Sequence, residues 1–107
     1  MYPMKMLYKF HTKNAADCLM LKDLTARIFE IINRPLEDRG IFLVEQLPEV
    51  ITKLETAIEE DANLRKEANL DDKEKPKLPD RLGQRAFPFL TLLKSALKNE
   101  DPVIWGD

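Results

Sequence analysis

Residues 80–106, DRLGQRAFPFLTLLKSALKNEDPVIWG, constrain the fold more than any other part of the chain. Leu82, Ala86, Phe89, Leu90, Leu93, Ala96 and Leu97 fall at i, i+4, i+7, i+8, i+11, i+14 and i+15, one stripe of a 3.6-residue period. The spacing predicts a helix with Asp80 as its N-cap, because a short carboxylate there accepts from the free N–H groups of the first turn. Pro88 interrupts this pattern. It either kinks the helix or opens it as the first helical residue; the stripe running through it favours the kink. Asn99-Glu100-Asp101-Pro102 ends the helix, since Pro102 biases Asp101 towards extended backbone. Val103-Ile104-Trp105 then reads as a short strand carrying the single tryptophan. Burying an indole removes about 150–250 Å² from water, worth about 4–6 kcal/mol as an upper figure. Against a whole-domain stability of about 5–15 kcal/mol, that predicts a tail docked on the domain.

The rest of the chain must supply a surface for that helix and a partner for that strand. Residues 4–12 read as a strand and 18–21 as a second, with Lys13-Asn14-Ala15-Ala16 as a four-residue turn. In that register Thr12 pairs with Asp17, His11 with Cys18, Phe10 with Leu19 and Tyr8 with Leu21. Met6, Tyr8, Phe10, Leu19 and Leu21 then share an apolar face, and Lys9, His11, Cys18 and Met20 a mixed one. Asp23 is placed to cap a first helix over 24–33, with Leu24, Ile28, Ile31 and Ile32 as its stripe. The apolar run 41–44 is too short to assign as strand or coil by periodicity. Leu47, Val50, Ile51, Leu54, Ala57 and Ile58 mark a second helix over about 46–66, with Pro48 in its first turn. Its pairs Glu49–Lys53 and Asp61–Arg65 stand acid before base at i,i+4. Residues 67–79, EANLDDKEKPKLP, form a charged, proline-bearing sequence expected to be a flexible connector. The reading is a single α+β domain over 1–107: a small antiparallel sheet, made of the N-terminal hairpin plus the C-terminal strand, covered by about three helices.

Composition bounds the function. The chain has 107 residues, 44% of them hydrophobic and 34% charged, which suits one modest core with a well-solvated surface. A formal charge of −2 gives no general attraction to phosphate backbones, so no nucleic-acid partner is expected. No run of eighteen apolar residues is present, so no membrane span is expected either. A single cysteine and an N-terminus without a signal-peptide pattern fit a cytoplasmic protein.

Two constellations carry chemistry. His11 and Cys18, the only residues of their kinds, become cross-strand neighbours in the register above. An imidazole beside a thiolate can ligate a metal or activate a nucleophile. A structural zinc site needs further ligands, and no spaced Cys/His set supplies them; a thiol enzyme needs an oxyanion-binding loop, and the three glycines form no Gly-rich run. Lys9, His11 and Met20, on the mixed sheet face, are the alternative: a surface for a protein partner. The acidic runs Glu59-Glu60-Asp61 and Asp71-Asp72 and the basic pairs Arg81/Arg85 and Lys94/Lys98 read as solvated helix faces. Phosphate-loop, dinucleotide and metalloprotease signatures are absent.

Several segments together resemble a bacterial family of uncharacterised proteins, domain of unknown function type 1840. They are Met6-Leu7-Tyr8-Lys9-Phe10, Ala16-Asp17 with Met20-Leu21, Gly40-Ile41, Leu47-Pro48, Leu54 with Ala57-Ile58, Arg85-Ala86-Phe87-Pro88-Phe89 with Leu92-Leu93, and Val103-Ile104-Trp105. Relatives often carry Leu or Ile where this chain has Phe89, which keeps the position apolar. The resemblance implies a small soluble bacterial cytoplasmic protein and implies no activity, substrate or site. The leading expectation is a non-enzymatic interaction or accessory module without a cofactor. It would act on an unknown protein partner or by self-association, through a sheet edge or through Lys9, His11 and Met20. A metal- or thiol-dependent protein using His11 and Cys18 is the second expectation, and a binder of a small apolar ligand between sheet and helices the third.

Overall fold

The computed structural model describes residues 6–67 and 82–106, with the side chains of all of them except 65–67. The elements run β1 (Leu7–Thr12), β2 (Ala15–Leu21), α1 (Lys22–Ile31), β3 (Gly40–Phe42), a 3-10 turn (Val44–Gln46), α2 (Leu47–Glu67), α3 (Leu82–Lys98) and β4 (Val103–Trp105). The four strands form one antiparallel sheet in the order β2-β1-β4-β3. The fold is thus α+β, with helices on one face of the sheet.

The C-terminal stretch does what its sequence requires. α3 buries Leu82, Ala86, Phe89, Leu90, Leu92, Leu93 and Ala96, and it runs through Pro88 without stopping. That removes the alternative in which Pro88 begins the helix. Glu100, at φ 55°, reverses the chain after α3. The Asp101 N–H then donates to the Ala96 carbonyl at 2.8 Å, satisfying one of the helix's last free acceptors. β4 follows and enters the middle of the sheet, pairing Phe10 with Trp105 and His11 with Ile104 on one side, and Gly40 with Trp105 and Phe42 with Val103 on the other. The ambiguous run at 41–44 therefore includes a strand, and the sheet has one strand more than the three expected.

Trp105 is the hub of an aromatic cluster. Its ring centroid lies 5.7 Å from Phe10, 5.2 Å from Phe29 and 4.8 Å from Phe42. Phe10 in turn meets Phe89 edge-on at 4.8 Å. Such pairs contribute about 0.5–1.5 kcal/mol each beyond area burial. The indole Nε1–H donates to the Glu37 carbonyl at 2.9 Å, so the one polar atom of the ring is paired where it is buried. Gly40 lies directly against the indole, where a side chain would overlap the ring.

The hairpin register differs from the sequence reading. The turn is the two-residue Lys13-Asn14, not a four-residue loop, and Thr12 pairs with Ala15. Farther along, Phe10 pairs with Cys18, Tyr8 with Met20 and Leu7 with Leu21. Two steps along β1 thus correspond to three along β2, so His11 faces both Ala16 and Asp17, a β-bulge in β2. A tight turn plus a bulge moves the pairing by one residue from the register expected above, and a one-residue move turns every β2 side chain to the other face. Cys18 and Met20 are buried; Leu19 and Leu21, expected in the core, are 59% and 56% exposed, and Met6 is exposed too. The apolar pattern of β2 could not prevent this error, because both of its faces are apolar. The turn is held by the Asn14 amide, which donates to the Asp101 carboxylate at 2.6 Å, and by the buried Thr12 hydroxyl, which donates to the Pro102 carbonyl at 2.9 Å. Both bonds reach the segment between α3 and β4.

The helix starts also differ. α1 begins at Lys22, directly after β2, and its N-cap position is Leu21, with no side-chain cap; Asp23 lies inside the first turn. Asp61, read as solvated surface, is largely buried instead. Its Oδ2 accepts the N–H of Leu82 at 3.1 Å, capping α3 from α2, and its Oδ1 lies 3.6 Å from the Arg27 guanidinium. One carboxylate thereby ties the three helices together. Asp80, Arg81, Asp71, Asp72, Arg65 as a partner of Asp61, and all of the connector beyond Glu67 lie outside the described residues or side chains.

Candidate functional site: the uncovered face of the sheet

In a two-layer α+β domain one sheet face packs on helices and the other meets solvent. Alternation decides which side chains go where. On β1 the order is exposed Leu7, buried Tyr8, exposed Lys9, buried Phe10, exposed His11, buried Thr12. On β4 Val103 and Trp105 are buried and Ile104 is exposed, and on β3 Phe42 is buried and Ile41 exposed. With Leu19 and Leu21 of β2, the uncovered face carries Leu7, Leu19, Leu21, Ile41 and Ile104, each between 39% and 59% exposed. The pairing fixes their neighbours: Leu7 lies opposite Leu21, Leu19 opposite Lys9, and His11, Ile104 and Ile41 form one row across three strands.

A small charged group sits within this apolar face. The His11 Nδ1 is 2.6 Å from Asp17 Oδ1, and Lys9 Nζ is 3.8 Å from Asp17 Oδ2. Alternation makes this possible: one step beyond the Phe10–Cys18 pair, Asp17 turns to the same uncovered face as His11, in phase with Leu19 and Leu21. The His11 hydrogen bond holds the Asp17 carboxyl below its ordinary value against the opposing effect of desolvation, with smaller electrostatic help from His11 and Lys9. The carboxylate is thus shared between the His11 imidazole and the Lys9 ammonium.

His11 and Cys18 are not brought together. Cys18 pairs with Phe10 on the buried face, while His11 points to solvent from the other. Burial pushes the Cys18 thiol up from its ordinary value, which disfavours the nucleophilic thiolate. Among the described residues, no group of three or more His, Cys, Asp or Glu could hold a metal ion. Of the trio Lys9, His11 and Met20, the first two share the uncovered face and Met20 is in the core. Sequence reasoning missed Asp17, Leu7, Leu19, Leu21, Ile41 and Ile104 as members of this surface. Ile104 and Ile41 were legible in principle, because each is the middle residue of a short apolar triplet and alternation must turn it away from its neighbours.

Of the other basic residues named above, Arg85, Lys94 and Lys98 are helix-surface groups. Arg85 lies 3.5 Å from Asp23, and Lys94 pairs with Glu55 at 2.7 Å, joining α3 to α2. No described helix is long and apolar enough to cross a membrane. No curated protein and no solved structure matches the chain. The family described as Domain of unknown function (DUF1840) matches it over residues 6–105, from the first residue before β1 to the end of β4. With both outer strands, the central pair and all three described helices inside that match, the chain belongs to the DUF1840 family.

Proposed function

We infer that the protein is an interaction module of the bacterial cytoplasm rather than an enzyme, and that its working surface is the uncovered sheet face. The observation that carries this reading is the set Leu7, Leu19, Leu21, Ile41 and Ile104, five large aliphatic side chains left on one side of a four-stranded sheet. Monomers rarely leave contiguous apolar patches of more than a few hundred Å² in water. The occupant is a second copy of the chain. Two sheets pack face to face about 10 Å apart, and a two-fold axis would set each patch on its own image. The acidic group on this face does not oppose stacking, because Asp17 is paired with Lys9 and His11 within each copy. Edge-to-edge pairing through β2 is less favourable, since the bulge at Ala16 and Asp17 distorts that edge.

The test is sedimentation equilibrium of the untagged protein with and without Leu19→Lys and Leu21→Lys. The parent should form dimers at micromolar concentration, and the double variant should stay monomeric with an unchanged far-UV spectrum, because both side chains are more than half exposed in the single chain. A parent that remains monomeric up to about 1 mM, where association is weaker than about 4 kcal/mol, would refute self-association. So would a dimer that the double variant leaves intact.

A further inference from the structure

A groove of about 240 Å³ lies between the end of α1 and the start of α2, away from the uncovered sheet face, lined by Ile32, Asn33, Arg34, Gln46, Glu49, Val50 and Lys53. We propose that it is a binding site for a small oxyanion, a carboxylate or a phosphate, held chiefly by Arg34 and Lys53.

The geometry begins with how α1 ends. Asn33 takes φ 58°, and the N–H of Arg34 donates to the Phe29 carbonyl at 2.9 Å, a left-handed helix stop that asparagine tolerates better than most residues. That stop throws Arg34 back across the cluster below. Its guanidinium carbon sits 4.7 Å from the Phe42 ring centroid and 5.3 Å from that of Trp105. Nη2 donates to the Ile41 carbonyl at 2.7 Å, whereas Nη1 reaches Gln46 Oε1 only at 3.5 Å. The Gln46 oxygen is better used by the Leu43 N–H, at 2.9 Å. A guanidinium has five N–H donors in a rigid fork, so this one is fixed in place with donors to spare. Among the described residues, no carboxylate forms an ion pair with it.

The opposite wall supplies a second cation. Lys53 Nζ is 3.2 Å from Glu49 and 3.5 Å from the Ile32 carbonyl. With Arg34, Lys53 and Glu49 as its charged groups, the groove carries one net positive charge and a majority of donors. The side-chain amides of Asn33 and Gln46 add neutral partners. A volume of 240 Å³ falls below the roughly 300–1,000 Å³ of pockets for drug-sized ligands. It suits a few-atom anion, and a bidentate fork on two oxygens of a carboxylate or a phosphate is the strongest contact such a site can offer.

The experiment is an amide NMR titration of the whole protein with sodium acetate and, separately, sodium phosphate, at ionic strength held constant with sodium chloride. Saturable shifts should cluster on Asn33, Arg34, Gln46 and Lys53, with a midpoint at or below about 10 mM, and the stronger of the two titrations identifies the preferred oxyanion. Lys53→Met and Arg34→Lys should each raise the midpoint about tenfold. Lys53→Met retains the aromatic stacking, so it answers the question even if Arg34→Lys unfolds the chain. Linear, unsaturated shifts for both anions would overturn the proposal, as would a midpoint that Lys53→Met leaves unchanged.

Discussion

Replacing Gly40 with alanine sets two effects of opposite sign against each other. A glycine inside a strand costs about 0.5–1 kcal/mol relative to alanine, because it loses more backbone freedom on folding. On that ground alone the substitution should stabilise. The tertiary structure says otherwise. A Cβ at Gly40 would lie 2.3 Å from Cζ2, 2.7 Å from Cη2 and 2.9 Å from Cε2 of Trp105. Carbon atoms rest at about 3.5–4.0 Å, so the indole must withdraw by about 1 Å or more. It has little room, with Phe10, Phe29 and Phe42 on it and the Arg34 guanidinium above. Overpacking of this kind costs about 1–3 kcal/mol. Withdrawal also strains the 2.9 Å bond from Nε1–H to the Glu37 carbonyl, and an indole N–H left buried and unpaired costs about 1–3 kcal/mol more. Less the propensity gain, Gly40→Ala should destabilise by about 1–5 kcal/mol, centred near 3. For a domain of this size that is a fall in Tm of roughly 10 °C. Urea unfolding followed by far-UV circular dichroism measures it. The double variant Gly40→Ala, Trp105→Phe separates the cause, because phenylalanine lacks the atoms that clash. The two changes should be non-additive by about 1 kcal/mol or more. Gly40→Ala at or above parent stability, or strict additivity with Trp105→Phe, would refute the steric argument.

Two further outcomes follow from single carboxylates. Asp61→Ala removes both the cap on the Leu82 N–H and the Arg27 contact, so it should lower stability by about 1–2 kcal/mol, read as a lower urea midpoint. Asp61→Asn, which keeps an acceptor, should lose less, and an unchanged midpoint for Asp61→Ala would show that α3 starts independently of α2. Asp17 should titrate below the ordinary carboxylate value in the folded protein and move back up in His11→Gln, as followed by carboxyl carbon NMR. Because folding lowers this pKa, the associated stabilisation is present above the ordinary carboxylate value and is lost as pH falls through the folded one. It is small, since the group is exposed, and an Asp17 midpoint indifferent to His11→Gln would show that the 2.6 Å contact is not maintained in solution.

Much of the architecture was legible because it rests on local rules. The stripe of α3, the stop at Asn99–Pro102, the strand at Val103–Trp105 and the burial of the only tryptophan all follow from spacing, proline chemistry and the area of an indole. The uncovered sheet face was less legible. Its membership depends on hairpin register, and the β2 sequence accepts either register because Cys18 and Met20 are as able to fill a core as Leu19 and Leu21. Reading a four-residue loop where a two-residue turn and a bulge stand exchanged the two faces, bringing His11 and Cys18 together on paper and hiding the exposed leucines.

The sequence by itself determined the number and order of helices, the hairpin and the docked tail, since each is written in a periodicity or a breaker that acts within a few residues. Only the tertiary structure decided three things. It set β4 between β1 and β3, it chose Asp61 as the cap of a helix far along the chain, and it selected which face of β2 meets water. All three depend on contacts between distant segments: the Asn14 and Thr12 bonds to Asp101 and Pro102, and the fit of Gly40 beneath the indole. A local pattern limits what such contacts can be, but the register is chosen by the free energy of the whole packed core, where one residue of slip moves every side chain at once.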